Sequence, residues 1–343
     1  MSKQILVTGG LGYIGSHTVV ALLRAGYTPV IVDNLDNSRI GILKQLEQIT
    51  GVVPEFHNID LCNKPAVAEL IASKPDLQGV IHFAAHKAVG ESVAKPLKYY
   101  ANNFESLFSV LQAFEGRQLN LVFSSSCTVY GQPDELPVSE AAPVKKAESP
   151  YGNTKQVAEE ILQDIAKADK LKNIISLRYF NPVGAHESAL IGELPIGVPQ
   201  NLVPFITQSA IGKRGPITVF GNDYDTPDGS CIRDYIHVVD LAEAHVAAIQ
   251  KQEQGSSNSN YDVFNIGTGS GYTVLEAIKA FEQENDVKLN YQIGARREGD
   301  IEKVWGDTTK SKQGLGWEAK FGINEMMSSA WKWEKYLENN EIQ

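Results

Sequence analysis

The feature that most constrains this chain is a run of glycines, Gly9-Gly10-Leu11-Gly12-Tyr13-Ile14-Gly15, set between the apolar Ile5-Leu6-Val7-Thr8 and a helical stretch. Glycines three apart at Gly9, Gly12 and Gly15 allow a tight turn with positive φ. They also let an anion approach the backbone with no β-carbon in the way, in front of the unpaired N–H groups of a helix start. A turn of this kind joins a strand to the helix of a βαβ unit, and the following residues repeat the unit. Apolar runs at 5–8, 29–33, 53–57, 79–83, 119–124 and 173–179 alternate with helical stretches at 12–25, 64–73, 96–115 and 150–168. In the last of these, Ala158, Ile161, Leu162 and Ile165 fall at helical spacing and polar residues fill the other face. Strands this continuously apolar are buried on both faces, so the expected class is α/β with a doubly wound parallel sheet.

After Asn181 the texture changes: Pro182, Gly184, Pro195, Gly197, Pro199, Pro204 and Pro216 punctuate the chain and keep regular elements short. Segments 234–239, followed by helical 241–250, and 261–266, followed by Gly267, read as strands returning to the sheet. The expected organisation is a Rossmann-type domain of residues 1–180 plus about 235–268. A smaller, interleaved mixed α/β domain of about 181–234 plus 269–343 would carry the substrate. Residues 252–260, rich in Ser and Asn, read as an exposed loop, and 323–338 has helical composition.

Composition narrows the partners. Among 343 residues, 43% hydrophobic, Lys plus Arg number 31 against 41 Asp plus Glu, a net charge of −10 that argues against nucleic acid. No apolar run reaches the ~18 residues of a membrane span. Met1-Ser2-Lys3-Gln4 leads into the first strand without a charged and then apolar leader. Cys62, Cys127 and Cys231 are odd in number and far apart, which suits neither a disulfide framework nor a metal site. The expected compartment is the cytoplasm.

Two constellations carry chemistry. Asp33, eighteen residues past Gly15 at the end of the second strand, can accept hydrogen bonds from an adenosine ribose and would repel a 2′-phosphate. That favours NAD over NADP, with Arg39 in the following loop pulling the other way. Tyr151 and Lys155 lie four apart at the start of a helix and so share a face. A neighbouring ammonium and a cationic nicotinamide both favour the phenolate, which would let Tyr151 remove a hydroxyl proton. Ser124-Ser125-Ser126 ends the fifth strand at the carboxyl edge, where such sheets place their ligands.

Together with Lys87-Ala88-Val89-Gly90-Glu91-Ser92, the string from Arg178 through Asn181 to His186, Arg233-Asp234-Tyr235-Ile236-His237, and Ala295 through Arg297 to Asp300, these motifs span the chain. The chain resembles the UDP-glucose (galactose) 4-epimerase family of the extended short-chain dehydrogenase/reductases. The resemblance implies an isomerase of galactose metabolism, also supplying UDP-sugars for surface polysaccharide, that uses tightly held NAD to interconvert UDP-galactose and UDP-glucose through a 4-keto intermediate.

By that resemblance Tyr151 is the base, Lys155 tunes it and holds the nicotinamide ribose, and Ser126 bonds the reacting oxygen. NAD would be held by Gly9, Gly12, Tyr13, Ile14, Gly15, Asp33, Asn34, Asp60, Leu61, Phe83, Ala84, Lys87, Asn102, Ser124, Tyr151, Lys155 and Tyr179. The UDP-hexose would be held by Ser126, Tyr151, Asn181, Asn201, Leu202, Phe220, Arg233, Arg297, Asp300 and Val304. Arg233 and Arg297 suit diphosphate because a guanidinium grips phosphate through two N–H groups. Val304 stands where some relatives carry a bulky aromatic residue, which implies a wider pocket and acceptance of UDP-GalNAc and UDP-GlcNAc. A homodimer packed through helices such as 96–115 and 150–168 is also implied.

Other signals are weaker. Asp223, Asp225 and Asp228 with Gly229 lack the spacing and closing Glu of a calcium loop. His82 and His86 straddle a strand end without a third ligand, so no metal is expected. Cys127 has no basic neighbour in sequence to activate it. The alternatives are a dehydratase or decarboxylase of nucleotide sugars, or an NAD-binding sensor without turnover. A dehydratase would carry a carboxylate where Ser126-Cys127-Thr128 has none.

Overall fold

A computed structural model describes residues 3–255, 259–297 and 300–343. Among them, seven parallel strands form the main sheet: β1 (Gln4–Thr8), β2 (Thr28–Asp33), β3 (Glu55–Asn58), β4 (Leu77–His82), β5 (Leu119–Ser126), β6 (Lys172–Tyr179) and β7 (Tyr261–Ile266). Their order is β7-β6-β5-β4-β1-β2-β3. The order reverses between β1 and β4, which opens a crevice at the carboxyl edge.

Alternate residues of the strands feed two cores. Ile5, Val7, Ile31, Ile81, Val122 and Leu177 face α1 (Tyr13–Arg24), α2 (Ile42–Thr50) and α8 (Val238–Glu253). Leu6, Val30, Val32, Val80, Leu121 and Phe123 face α3 (Lys64–Ser73), α5 (Pro96–Ala113) and α6 (Pro150–Ala168). Each fully buried aliphatic side chain stabilises this sandwich by about 1.5–3 kcal/mol. Between α3 and α5 lies the short α4 (Val89–Ala94).

A further core gathers Val183, Val203, Ile206, Ile217, Val219, Tyr235, Ile278, Phe281, Met326 and Met327. It is built by α7 (Leu202–Ala210), α9 (Val274–Asn285) and α11 (Ile323–Asn339), with the short α10 (Thr309–Leu315) leading into α11. Helix α11 ties the cores together, since Met326 and Met327 enter this one and Trp333 the sheet core. The strands here are short: Asn181–Val183 pairs with Tyr235–His237, Ile217–Phe220 with Tyr291–Gly294, and Ile232–Arg233 lies between Tyr272–Thr273 and Lys303–Val304.

Three sequence expectations need correction. Segment 234–239 does not return to the main sheet; its three-residue strand pairs with Asn181–Val183, and the helix starts at Val238. Strand β3 is the sheet edge and is exposed or half-buried along its length, so it lacks the double burial of its neighbours. On α6 the polar residues divide: Lys155, Gln156 and Glu159 are buried, and Glu160, Gln163, Asp164 and Lys167 are exposed. Gln252 belongs to α8 and is buried, its amide donating to the carbonyls of Leu121 and Asn173; residues 256–258 of the expected loop lie outside the described residues.

Candidate active site

Parallel strands end at one edge, so Gly9, Asp33, Phe83, Ser126 and Tyr179 meet around the crevice. The glycine turn is closed so tightly that a β-carbon on Gly15 would lie 2.1 Å from the Gly9 carbonyl oxygen, and Gly9 itself has φ +69°. Helix α1 starts at Gly12 with no side-chain cap, leaving its first-turn N–H groups without intrahelical partners. Asp33 is buried and oriented by this turn: Oδ2 accepts from Leu11 N at 3.1 Å, and Oδ1 accepts from Leu35 N at 3.0 Å and Ser38 Oγ at 2.7 Å. Of its four lone-pair positions at least one stays open for a ribose hydroxyl. Arg39 donates to the Ser38 carbonyl. The donor set and the uncapped helix fit NAD.

The other cofactor candidates follow strand ends. Asn34 and Asp60 sit in turns stabilised by their own side chains, Leu61 is buried, Phe83 and Ala84 continue β4, and Lys87 and Asn102 flank the edge. Tyr13 donates from its hydroxyl to the Gly184 carbonyl at 2.7 Å, linking the glycine turn to the second core.

Helix α6 begins at Ser149, whose Oγ accepts from Gly152 N at 3.1 Å, with Pro150 in the first turn. That cap places Tyr151 and Lys155 on the face toward β5. Lys155 is buried; its Nζ donates to the Ser124 carbonyl at 2.5 Å and lies 6.0 Å from the Tyr151 ring centre. Ser126 lies close enough to the Tyr151 phenol to lower its pKa, and Ser124 Oγ is hydrogen-bonded to the Tyr179 hydroxyl. Burial pushes the Tyr151 phenol up to about 12, with Ser126 pulling the other way, and brings the Lys155 ammonium down to about 7, with Glu159 pulling back. Without the nicotinamide's charge beside it, burial is the largest influence on the phenol.

Behind this face sits a buried ion pair that sequence reading missed. Glu159, one turn past Lys155, accepts from Arg178 Nη2 at 2.5 Å and from Ser125 Oγ at 2.5 Å; Arg178 also donates to the Tyr130 hydroxyl. A charged residue near the end of the apolar run 173–179, Arg178, was the available signal.

The substrate candidates lie on the short strands and loops. Asn181 opens its strand; Leu202 starts α7; Phe220 is 41% exposed with the Arg297 guanidinium 5.6 Å from its ring centre. Arg297 pairs with Asp300 at 2.7 Å, and Arg233 approaches the same carboxylate at 3.7 Å. Glu298 and Gly299, within the same motif, lie outside the described residues. Exposed Asn201 donates to Glu193 Oε1 at 2.6 Å, and Lys87 Nζ reaches the same oxygen at 3.3 Å, so Glu193 joins a cofactor candidate to a substrate candidate. Val304 is 2% exposed, in an apolar cluster with Val129, Tyr130, Val138 and Phe180. The expected widening of an open pocket is thus a change within a packed cluster.

The discounted signals find ordinary partners. Asp223 pairs with Arg296, Asp225 with Lys303, and Asp228 accepts from Ser230 and Thr273. His82 is buried against Thr8 and held down to about 3, and burial pushes the Cys127 thiol up to about 12. Among the described residues no cluster could hold a metal ion, and no helix is long and apolar enough to cross a membrane.

A family model for GDP-mannose 4,6 dehydratase matches residues 6–330. The chain is 49% identical over 340 residues to a UDP-glucose 4-epimerase of Dictyostelium discoideum, covering 99% of this chain and 98% of the relative. It is 49% identical to the Bacillus subtilis (strain 168) UDP-glucose 4-epimerase, over 96% of each chain. The UDP-glucose 4-epimerase of Bifidobacterium longum, solved with NAD+ and UDP, superposes with a TM-score of 0.93 at 44% identity over 98% of this chain and 99% of that one. A UDP-Glc/GlcNAc 4-epimerase from Campylobacter jejuni superposes with a TM-score of 0.82 at 33% identity, over 98% of this chain and 100% of that one.

Proposed function

The chain belongs to the UDP-glucose 4-epimerase family, and from that premise we propose how its residues divide the work. The reaction is NAD-dependent interconversion of UDP-galactose and UDP-glucose by inversion at C4. The observation that carries the assignment is the meeting of Tyr151, Ser126 and Lys155 at the carboxyl end of β5.

When bound, NAD supplies a hydride acceptor and a positive charge beside the phenol. Tyr151 takes the C4 hydroxyl proton, and Ser126 Oγ hydrogen-bonds the same oxygen. Lys155, its Nζ held by the Ser124 carbonyl, and the nicotinamide would together bring positive charge to a phenol that burial otherwise leaves protonated. Inversion requires the 4-keto sugar to present its other face, so the firm hold must fall on the nucleotide. Arg233 and Arg297 hold diphosphate, and Asn181, Asn201, Leu202, Phe220 and Asp300 surround uridine and sugar. Asp33, the glycine turn and Tyr179 hold NAD.

A dehydratase on this scaffold is disfavoured because Ser126, Cys127 and Thr128 offer no carboxylate for eliminating water. The likeness to a UDP-Glc/GlcNAc 4-epimerase supports action on the N-acetylated UDP-sugars as well.

The two-domain division, 1–180 plus about 235–268 against about 181–234 plus 269–343, is supported by the separate core around Ile206 and Phe281. A homodimer through α5 and α6 is supported by Leu97, 79% exposed, and by the aromatic ladder Tyr100, Phe104 and Phe108 on α5; a monomeric mass in light scattering would contradict it. The free cysteines are consistent with a cytoplasmic enzyme.

Purified protein given UDP-galactose without added NAD should form UDP-glucose, resolved by chromatography, and UDP-GalNAc should be turned over in parallel. No UDP-glucose even with NAD supplied would refute the assignment. No turnover of the N-acetyl sugars by active enzyme would remove only that extension.

A further inference from the structure

Asp234 is fully buried between Arg233 and Tyr235, yet it is bonded on every side. Its Oδ1 accepts from Thr268 N at 2.9 Å and Thr268 Oγ1 at 2.7 Å; its Oδ2 accepts from Gly269 N at 3.1 Å and Gly306 N at 3.3 Å. Its backbone N–H donates to the Val304 carbonyl at 3.2 Å, and its carbonyl accepts from Asn181 N at 3.0 Å. One residue thus links the loop after β7, the segment after Lys303–Val304 and the start of Asn181–Val183.

The strands it joins are two or three residues long. Ladders that short cannot fix a side chain's position by themselves, so the register must come from elsewhere. The backbone is drawn in closely around the carboxylate. A β-carbon on Gly267 would lie 2.5 Å from Asp234 Oδ2, and one on Gly306 2.5 Å from the Phe180 ring. A carboxylate is the side chain suited to this place, because it alone presents two acceptor oxygens and no donor to four converging N–H and O–H groups.

We propose that Asp234 is a positioning residue for UDP-sugar binding: it never touches the ligand, and it fixes Asn181, Arg233 and Val304 relative to one another. The inference rests on the assignment of those three residues to the substrate. Its signature is a split between binding and turnover, because Tyr151, Lys155 and Ser126 stand on α6 and β5, which Asp234 does not bond.

The substitution Asp234→Asn keeps size and shape but turns an N–H donor toward Gly269 N or Gly306 N. The KM for UDP-galactose and the Kd for UDP, the latter by calorimetry, should rise about tenfold or more, as for loss of charge-assisted hydrogen bonds. kcat should stay within about threefold of wild type, with the NAD content of the purified protein unchanged. Thr268→Val removes one hydroxyl donor and should move KM and Kd the same way by about two- to fivefold, while Thr268→Ser restores them. Thr268→Val also carries the test should Asp234→Asn fail to fold.

Unchanged KM and Kd in these variants would overturn the proposal, as would kcat and NAD content falling in proportion with affinity. The UDP measurement does not depend on turnover. An inactive wild type that still binds UDP, with Asp234→Asn binding it more weakly, would refute the epimerase reading and leave the positioning role standing.

Discussion

The two sides of the crevice are built differently. On the redox side the glycine turn and the catalytic residues stand on, or between, regular elements: the turn between β1 and α1, Ser124 to Ser126 on an eight-residue strand, Tyr151 and Lys155 in the first turns of a nineteen-residue helix. On the substrate side Asn181, Phe220, Arg233 and Val304 stand on strands of two to four residues. The first side is positioned by ladders and helix packing, and a buried ion pair braces it from behind. On the second, Asn181, Arg233 and Val304 are tied together through a single residue, Asp234, and its buried carboxylate. The contrast suits the chemistry, since proton transfer needs fixed geometry at one atom while a rotating sugar needs its hold elsewhere.

The largest effect should come from the redox side. Tyr151→Phe removes the base and should lower kcat about 10³-fold, with bound NAD and UDP affinity unchanged. A parallel loss of UDP affinity would show that the two sides are not separable.

Breaking the brace should act on stability. Glu159→Gln leaves Arg178 buried without its counter-charge and should cost about 3–5 kcal/mol in urea unfolding. A loss under 1 kcal/mol would mean that the ion pair does not hold α6 against β5 and β6.

Acid should also distinguish the two sides. Burial holds His17 and His82 down to about 3, and His237 and His245 to about 4, so below pH 6.5 the unfolded chain takes up protons that the folded one refuses. Each removes about 1.4 kcal/mol of stability per pH unit over that window. Asp234, raised by burial to about 6, has the opposite sign: it gains stability as pH falls from 6 toward 3.8 and offsets one histidine. Unfolding free energy should fall steeply from pH 6.5 to 4.5. A flat profile would contradict the neutral burial of these histidines.

The same contrast explains what the sequence revealed. Runs such as 29–33 and 119–124 became strands because continuous apolar residues with helices between them have few other ways to bury both faces. The glycine turn, Asp33, Tyr151 and Lys155 were legible for the same reason, each sitting at a fixed offset from a regular element. Segment 234–239 misled because Tyr235, Ile236, Val238 and Val239 have a core strand's composition, although the chain pairs only three residues there before turning into α8. The buried Glu159 and Asp234 and the half-buried Glu193 were missed because such a charge leaves no periodic trace; its meaning lies in partners 8 to 106 residues away. Val304 was seen as a position, and its packing against Phe180 and Tyr130 was not.

The most direct test of the central claim, that C4 is inverted by removing its hydrogen and returning it to the other face, uses UDP-galactose carrying deuterium at C4 in ordinary water. The account predicts UDP-glucose that keeps the deuterium at C4, read by mass spectrometry and proton magnetic resonance. Product with hydrogen from water at C4 would contradict it.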